Sequence, residues 1–246
     1  MPSHSPIYNR PRVMVALLRK DWRLCRVLVI ATLFIGIVPY LFAIGAVLYD
    51  HHRQHDVTRR DWLHAFEIAA SVALMMTAVV ASAYGGIAIA GERRERTGDF
   101  IQLLPISRWQ IILSKWIVSA VCLITAGAFH LLVFSGLLDF ESRMSGGDEL
   151  QTIVYGIIFW VSATFSLFAV AWGLSTFLNS PAISACVAIG LVIAGMFTIS
   201  ILLDIYTGPR YQSDRIMAAA WGFFGFLGGS IFLIGGGVYY LRRVAP

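Results

Sequence analysis

The sequence predicts an all-α integral membrane protein with six transmembrane helices, preceded by an N-terminal amphipathic interfacial helix. Hydrophobic residues make up 58% of the chain and charged residues only 13%, and the mean hydropathy is +0.73. Soluble domains carry about 25% charged residues, so this chain lacks the charge needed to cover a water-facing surface. Spans of roughly 20 residues use most of the 246 residues, which predicts a single transmembrane domain over residues 1–246.

The first element, residues 11–26, is a basic amphipathic segment. At about 100° per residue, its arginines gather on one arc, and apolar side chains such as Leu17 and Leu18 gather on the opposite arc. This pattern is typical of a helix that lies in the membrane interface with its tryptophan among the headgroups. An ordinary basic flank that sets topology is the alternative. The residues predicted for the interfacial helix are Arg12, Arg19, Trp22, Arg23 and Arg26.

Six apolar runs with polar flanks follow, and each is predicted to cross the membrane. The sixth contains "WGFFGFLGG", in which small residues let neighbouring helices approach closely. The predicted spans are Val27–Tyr49, Ala65–Ala90, Ile111–Leu138, Ile153–Leu178, Ala182–Leu203 and Met217–Leu241.

Charge is divided unequally between the two sides that these spans define. Of the 19 lysines and arginines, thirteen fall on the side of both chain ends and of the loop 92–106, and six fall on the other. The 14 acidic residues divide the opposite way, four against ten. The positive-inside rule therefore predicts that both termini and this loop are cytoplasmic.

The chain shows no motif for chemistry of its own. The P-loop pattern is missing because the only lysines, Lys20 and Lys115, follow no such loop, and neither HExxH nor GxSxG occurs. Buried ionisable groups mark ion pathways in coupled transporters, and the predicted spans contain few of them. The sequence therefore predicts no catalytic residue, no cofactor, no nucleic-acid partner and no ATPase site within the chain.

Histidines occur at two places that deserve separate interpretations. His130 lies deep in the third span and is interpreted as a hydrogen-bonding residue between helices rather than as a substrate contact. The external stretch "DHHRQHD" contains His51, His52 and His55, which could bind a transition metal. A solvated loop is the preferred interpretation, because the spacing fits no recognised metal site.

The loop "GERRERTGDFIQLLPISRWQ" combines charge with apolar residues. Thr97 or Asp99 can cap a short helix, Pro105 ends it, and Ser107 with Gln110 forms a capping box for the third span. A surface helix held between two spans and exposing apolar side chains indicates a docking site, the alternative being a plain connecting loop. Its apolar side consists of Phe100, Ile101, Leu103 and Leu104.

This stretch resembles the signature of ABC-2 type transporter permeases, in which a charged segment precedes a Leu-rich helix, Leu-Pro-Ile-Ser-Arg and a Gly-Lys pair. Three positions depart from the pattern, namely Arg96, Gly98 and Ser114, the last of which replaces the glycine before the lysine. The motif spans about 25 residues, and the six-span layout agrees over the whole chain. The matching residues are Glu92, Thr97, Asp99, Leu104, Pro105, Ile106, Ser107, Arg108 and Lys115.

The resemblance implies an ABC-2 (type V exporter-like) permease fold and a role in ATP-driven export from a bacterial inner membrane. Two permease chains, as a homodimer or heterodimer in membrane lipid, would form the pathway, and two copies of a separate ATP-binding subunit would dock from the cytoplasm. That subunit would receive the coupling helix of the loop 92–106. The implied ATPase-coupling residues are Glu92, Thr97, Asp99, Phe100, Ile101, Leu103, Leu104 and Pro105.

Two alternatives remain open at this point. An ATPase-independent polytopic transporter or membrane scaffold would have the same spans without needing a partner ATPase. A polytopic membrane enzyme would instead depend on an intramembrane polar residue such as His130 or Ser166. Dependence of activity on a separate ATPase distinguishes the permease from both.

Overall fold

The structure, a computed structural model, describes residues 10–52, 57–94, 107–145, 149–207 and 214–243. Within these ranges the chain forms six long helices and no strand, as the sequence predicts. Every one of the six contains a stretch long and apolar enough to cross a membrane. The helices are α1 (Arg10–His52), α2 (Arg59–Arg94), α3 (Arg108–Ser145), α4 (Glu149–Ser175), α5 (Pro181–Thr207) and α6 (Asp214–Arg243).

Helix α1 joins the amphipathic segment and the first predicted span without a break. It runs for 43 residues, and its membrane-length part begins at Cys25. No glycine or proline occurs between Val13 and Ile35, so nothing interrupts the hydrogen-bond ladder between the two parts. The segment predicted as an interfacial helix is therefore the N-terminal extension of α1, and residues 10–26 are called the arm below.

Side-chain caps mark the starts of α2 and α3. Asp61 Oδ2 accepts hydrogen bonds from the backbone N–H and the hydroxyl of Thr58, each at 2.7 Å. At α3, Gln110 Oε1 accepts the backbone N–H of Ser107 at 3.2 Å, which confirms the glutamine half of the predicted capping box. Both caps satisfy backbone donors that have no partner inside a helix.

Helices α2 and α4 form the centre of the bundle. Helix α2 packs against α1, α3, α4 and α5, and α4 packs also against α5 and α6. Accordingly, 61% of the apolar, membrane-length stretch of α2 is buried inside the protein, whereas only 6% of the corresponding stretch of α5 is buried. Gly85 of α2 lies directly against the backbone of Phe168 and Trp172 in α4, so the two central helices approach as closely as small residues permit.

Trp160 of α4 ties the centre of the bundle to α2 and α3. Its indole N–H donates to the carbonyl oxygen of Leu74 and to the hydroxyl of Thr77, at 3.1 Å each. The ring lies against Gly127 of α3, where a side chain would overlap it. One buried tryptophan of α4 therefore contacts two further helices, α2 and α3.

Trp160→Phe is expected to lower the unfolding free energy by about 1–2 kcal/mol, since a hydrogen bond is lost to buried acceptors and part of the ring volume is emptied. Trp22→Phe is the matched control, because Trp22 is 47% exposed. Thermal unfolding in mild detergent, followed by circular dichroism, measures both. Equal shifts for the two variants would contradict the role assigned to Trp160.

Candidate functional site

Four charged side chains from three helices meet where α1, α2 and α3 pack together. Lys20 Nζ lies 2.6 Å from Glu92 Oε1, and Lys115 Nζ lies 2.9 Å from the same oxygen. Lys115 Nζ is also 3.7 Å from Asp21 Oδ1. These four residues and Ser114 are called the ion network below. It connects the arm, the last turn of α2 and the second turn of α3.

The ion network is largely withdrawn from solvent. The side chains of Asp21, Glu92 and Lys115 are 6–7% exposed, whereas that of Lys20 is 32% exposed. Two positive charges balance two negative ones. Because removing a charge from water costs several kcal/mol unless a partner offsets it, the buried charges of Asp21, Glu92 and Lys115 require one another.

Ser114 adds a hydrogen bond that connects the network to the backbone of α3. Its hydroxyl lies 2.5 Å from Asp21 Oδ2 and 2.9 Å from the carbonyl oxygen of Ile111, and the residue is fully buried. Ser114 stands where the resembling pattern has glycine, and a glycine could not make this bond. The departure from the pattern therefore supplies a partner for the buried Asp21.

Two arginines flank the loop 95–106, which itself lies outside the described residues. Arg93 Nη2 donates to the carbonyl oxygen of Thr176, just past the end of α4, at 2.7 Å. Arg108 Nη1 donates to the carbonyl oxygen of Leu241 in the last turn of α6 at 2.9 Å. Carbonyl groups at helix C-termini have no intrahelical partner and attract cations. These bonds connect the end of α2 to the end of α4, and the start of α3 to the last turn of α6.

Of the residues predicted to couple to an ATPase, Glu92 lies in the ion network, and the others lie outside the described residues. These others are Thr97, Asp99, Phe100, Ile101, Leu103, Leu104 and Pro105. Their structure and contacts stay a prediction. The loop that carries them begins three residues after Glu92.

The predicted division of the arm into two faces is present. Arg19, Arg23 and Arg26 are exposed, while Leu17 is buried and packs against Ile111 of α3. Arg12 also belongs to α1. The apolar face therefore rests on the protein, and the basic face points away from it.

Sequence reasoning missed Lys20, Asp21, Ser114 and Lys115 as site residues. The signal was present, because Lys115 lies inside the predicted third span, where an unpaired ammonium is expensive. In the sequence Lys115 contributes to the charge count that sets topology and to the ABC-2 signature, and neither of these indicates a buried ion pair. Nothing in the sequence connects Lys115 with Asp21, 94 positions earlier, because their proximity is decided by how α1 packs against α3.

His130 has the structural role that the sequence predicts. It is 2% exposed, its Nδ1 lies 3.1 Å from the Tyr40 hydroxyl, and the two rings stack with centroids 5.8 Å apart. Ser166 is similarly engaged, since its hydroxyl donates to the carbonyl of Ser162 at 2.7 Å. The His130 contact thus joins α3 to α1, whereas the Ser166 bond lies within α4.

The histidines predicted to be external form no metal site within the described part of the chain. His51 and His52 end α1 and are exposed, and His55 lies outside the described residues. Among the described residues, no group of three or more histidine, cysteine or acidic side chains could hold a metal ion.

Six membrane-length apolar helices in the described residues, with α2 and α4 at their centre, define a multi-pass membrane protein. Residues 15–213 match the family described as ABC-2 family transporter protein. The chain belongs to this family. It is a permease of ABC-transporter type, which confirms the family predicted from the resemblance. No curated protein and no solved structure matches the chain.

Proposed function

We propose that this chain is the transmembrane subunit of an ATP-driven exporter, with its termini and the loop 95–106 facing the cytoplasm of a bacterial cell. Two permease chains form the pathway across the inner membrane, and two copies of a separate ATP-binding subunit dock on the loops. The observation that carries the proposal is the ion network, which lies three residues before the loop and joins the arm to α2 and α3.

The ion network supports a mechanical role for the loop. A force on the loop acts first on the end of α2 at Glu92 and on the start of α3 at Arg108. Glu92 transmits it to the arm through Lys20, and Arg108 transmits it to α6 through the carbonyl of Leu241. Buried ion pairs have few alternative arrangements, so the helices move together rather than singly. Closure of a docked ATPase would thereby move the N-terminal part of α1 with α2 and α3.

The peripheral helices support a dimeric pathway. Within one chain, only 17%, 6% and 11% of the apolar, membrane-length stretches of α1, α5 and α6 are buried. A second permease chain would cover part of these faces, and lipid would cover the rest. A groove of about 250 Å³ between α4, α5 and α6 is lined almost entirely by apolar residues and glycines, including Met196, Gly225 and Gly228. This lining is compatible with an amphipathic or lipid-like cargo.

Leu103→Asp is expected to abolish ATPase docking, because a carboxylate on the apolar side of the predicted coupling helix would have to be desolvated in the subunit's groove. Gln102→Asp is the matched control, since it introduces the same charge at the neighbouring position, where the native residue is already polar. Each tagged variant is purified in mild detergent from its native host, and vanadate-sensitive ATP hydrolysis is measured. We expect at least a tenfold loss for Leu103→Asp and less than a twofold change for Gln102→Asp.

Two other results would reject the proposal. Purification of the wild-type chain without any ATP hydrolysis, with intact transport, would favour an ATPase-independent transporter or scaffold. Equal retention of ATPase activity by both variants would show that residues 95–106 are a plain connecting loop. Correct insertion of both variants is verified by membrane fractionation.

A further inference from the structure

Three arginines of the arm face away from the protein on one arc of α1. Arg19, Arg23 and Arg26 follow one another at helical spacings of four and three residues, and all three are exposed. Within the described residues none of them makes an ion pair or a side-chain hydrogen bond. The neighbouring Lys20 and Asp21, by contrast, point the other way and are held in the ion network.

The arc of these arginines continues the exposed apolar stripe of the membrane-spanning part of α1. Below Arg26 the same side of the helix carries Val27, Ile30, Phe34 and Ile37, which are 48–69% exposed. Apolar side chains exposed on a membrane-length helix suit contact with lipid tails. Because α1 is continuous, the arginines extend the same face outward from the tails.

The depth of the arginines corresponds to the headgroup layer. The span-like part of α1 begins at Cys25, and the helix rises by about 10 Å over the seven steps from Arg19 to Arg26. Headgroups add roughly 5–7 Å to each side of the hydrocarbon core, and arginine side chains extend several ångströms further. Trp22 lies in the same layer and is 47% exposed, as is typical of an interfacial anchor.

We propose that Arg19, Arg23 and Arg26 form a binding site for anionic phospholipid headgroups in the leaflet at the N-terminal end of α1. Guanidinium groups bind phosphates in a bidentate manner, and three of them along one helix face attract anionic over zwitterionic lipid. A lipid partner is favoured over an acidic protein surface, because the arginine face is continuous with the lipid-facing stripe. Headgroups would bind the exposed basic face of the arm, while the ion network binds the arm to α2 and α3.

The test compares lipid preference in the wild-type chain and in the triple variant Arg19→Gln, Arg23→Gln, Arg26→Gln. Detergent-purified protein is titrated with phosphatidylglycerol or with phosphatidylcholine of identical acyl chains, and bound lipid is counted by native mass spectrometry. Basic residues near a surface each contribute about fivefold in affinity for anionic lipid. We expect the wild type to prefer phosphatidylglycerol by about tenfold or more, and the preference to fall as salt is raised.

The triple variant is expected to lose this preference, leaving less than a twofold difference between the lipids. Arg60→Gln is the matched control, because Arg60 is also exposed but lies at the opposite end of the bundle. A preference that survives in the triple variant would overturn the proposal. So would loss of ATPase co-purification with unchanged lipid preference, which would assign the face to a protein partner. The lipid measurement needs no ATPase, so it stands apart from failure of the proposed transport function.

Discussion

Replacing Glu92 by glutamine is expected to destabilise the protein by about 3–5 kcal/mol, because the change breaks a buried ion pair and leaves Lys115 as a buried ammonium. Asp21 cannot replace the lost carboxylate, since its nearer oxygen is already 3.7 Å from Lys115 Nζ and its other oxygen is held by Ser114. Lys20 loses its partner too, but it is partly exposed and regains water. Urea or thermal unfolding in detergent gives the difference.

Glu67→Gln is the matched control for Glu92→Gln. It is the same substitution in the same helix, but the Glu67 side chain is 25% exposed and its ion-pair distance to His64 is 3.7 Å. Weak surface pairs contribute at most about 1 kcal/mol. The double variant Glu92→Gln, Lys115→Met is expected to recover part of the loss, since the unpaired charge is removed with its partner. If Glu92→Gln and Glu67→Gln were equally mild, the ion network would not be a stabilising element.

The same Glu92→Gln variant also tests force transmission. In a complex with its ATPase, we expect hydrolysis to persist while cargo movement falls at least tenfold, because the connection between α2 and the arm is weakened. Parallel loss of both activities would instead indicate that Glu92 acts only through docking or folding.

Gly85→Ala is expected to destabilise the protein by about 3 kcal/mol, although it adds only one methyl group. The added carbon would overlap the carbonyl oxygen of Phe168 and lie 2.9 Å from the backbone nitrogen of Trp172. Both are main-chain atoms of α4, so no side-chain rotation relieves the overlap, and the two central helices must separate. Circular dichroism melting and resistance to limited proteolysis measure the effect.

Gly190→Ala is the control for Gly85→Ala and should have the opposite sign. Nothing lies within 4 Å of a side chain added at Gly190, so the only effect is the higher helix propensity of alanine, up to about 1 kcal/mol. Similar melting temperatures for the two variants would show that α2 and α4 do not depend on their close approach.

The amino-acid sequence by itself determined the membrane class, the number of spans and the family of this protein. These properties follow from local quantities, namely runs of apolar residues, the flanking charge and the motif around Pro105, and they need no knowledge of how helices pack. The two faces of the arm could be predicted for the same reason, since a helical period of 3.6 residues places Leu17 and Arg19 on opposite arcs.

Only the tertiary structure decided which charges belong together. Lys20, Asp21, Glu92 and Lys115 read in the sequence as separate cytoplasmic charges, because pairing across 72 or 94 positions depends on helix packing rather than on spacing. The same holds for Ser114. In the sequence it is only a departure from the glycine of the ABC-2 signature, and the structure shows that its hydroxyl binds the buried Asp21. The continuity of α1 also emerged from the fold. Its two parts differ in composition, but a helix continues across such a change wherever no residue breaks its backbone hydrogen bonds.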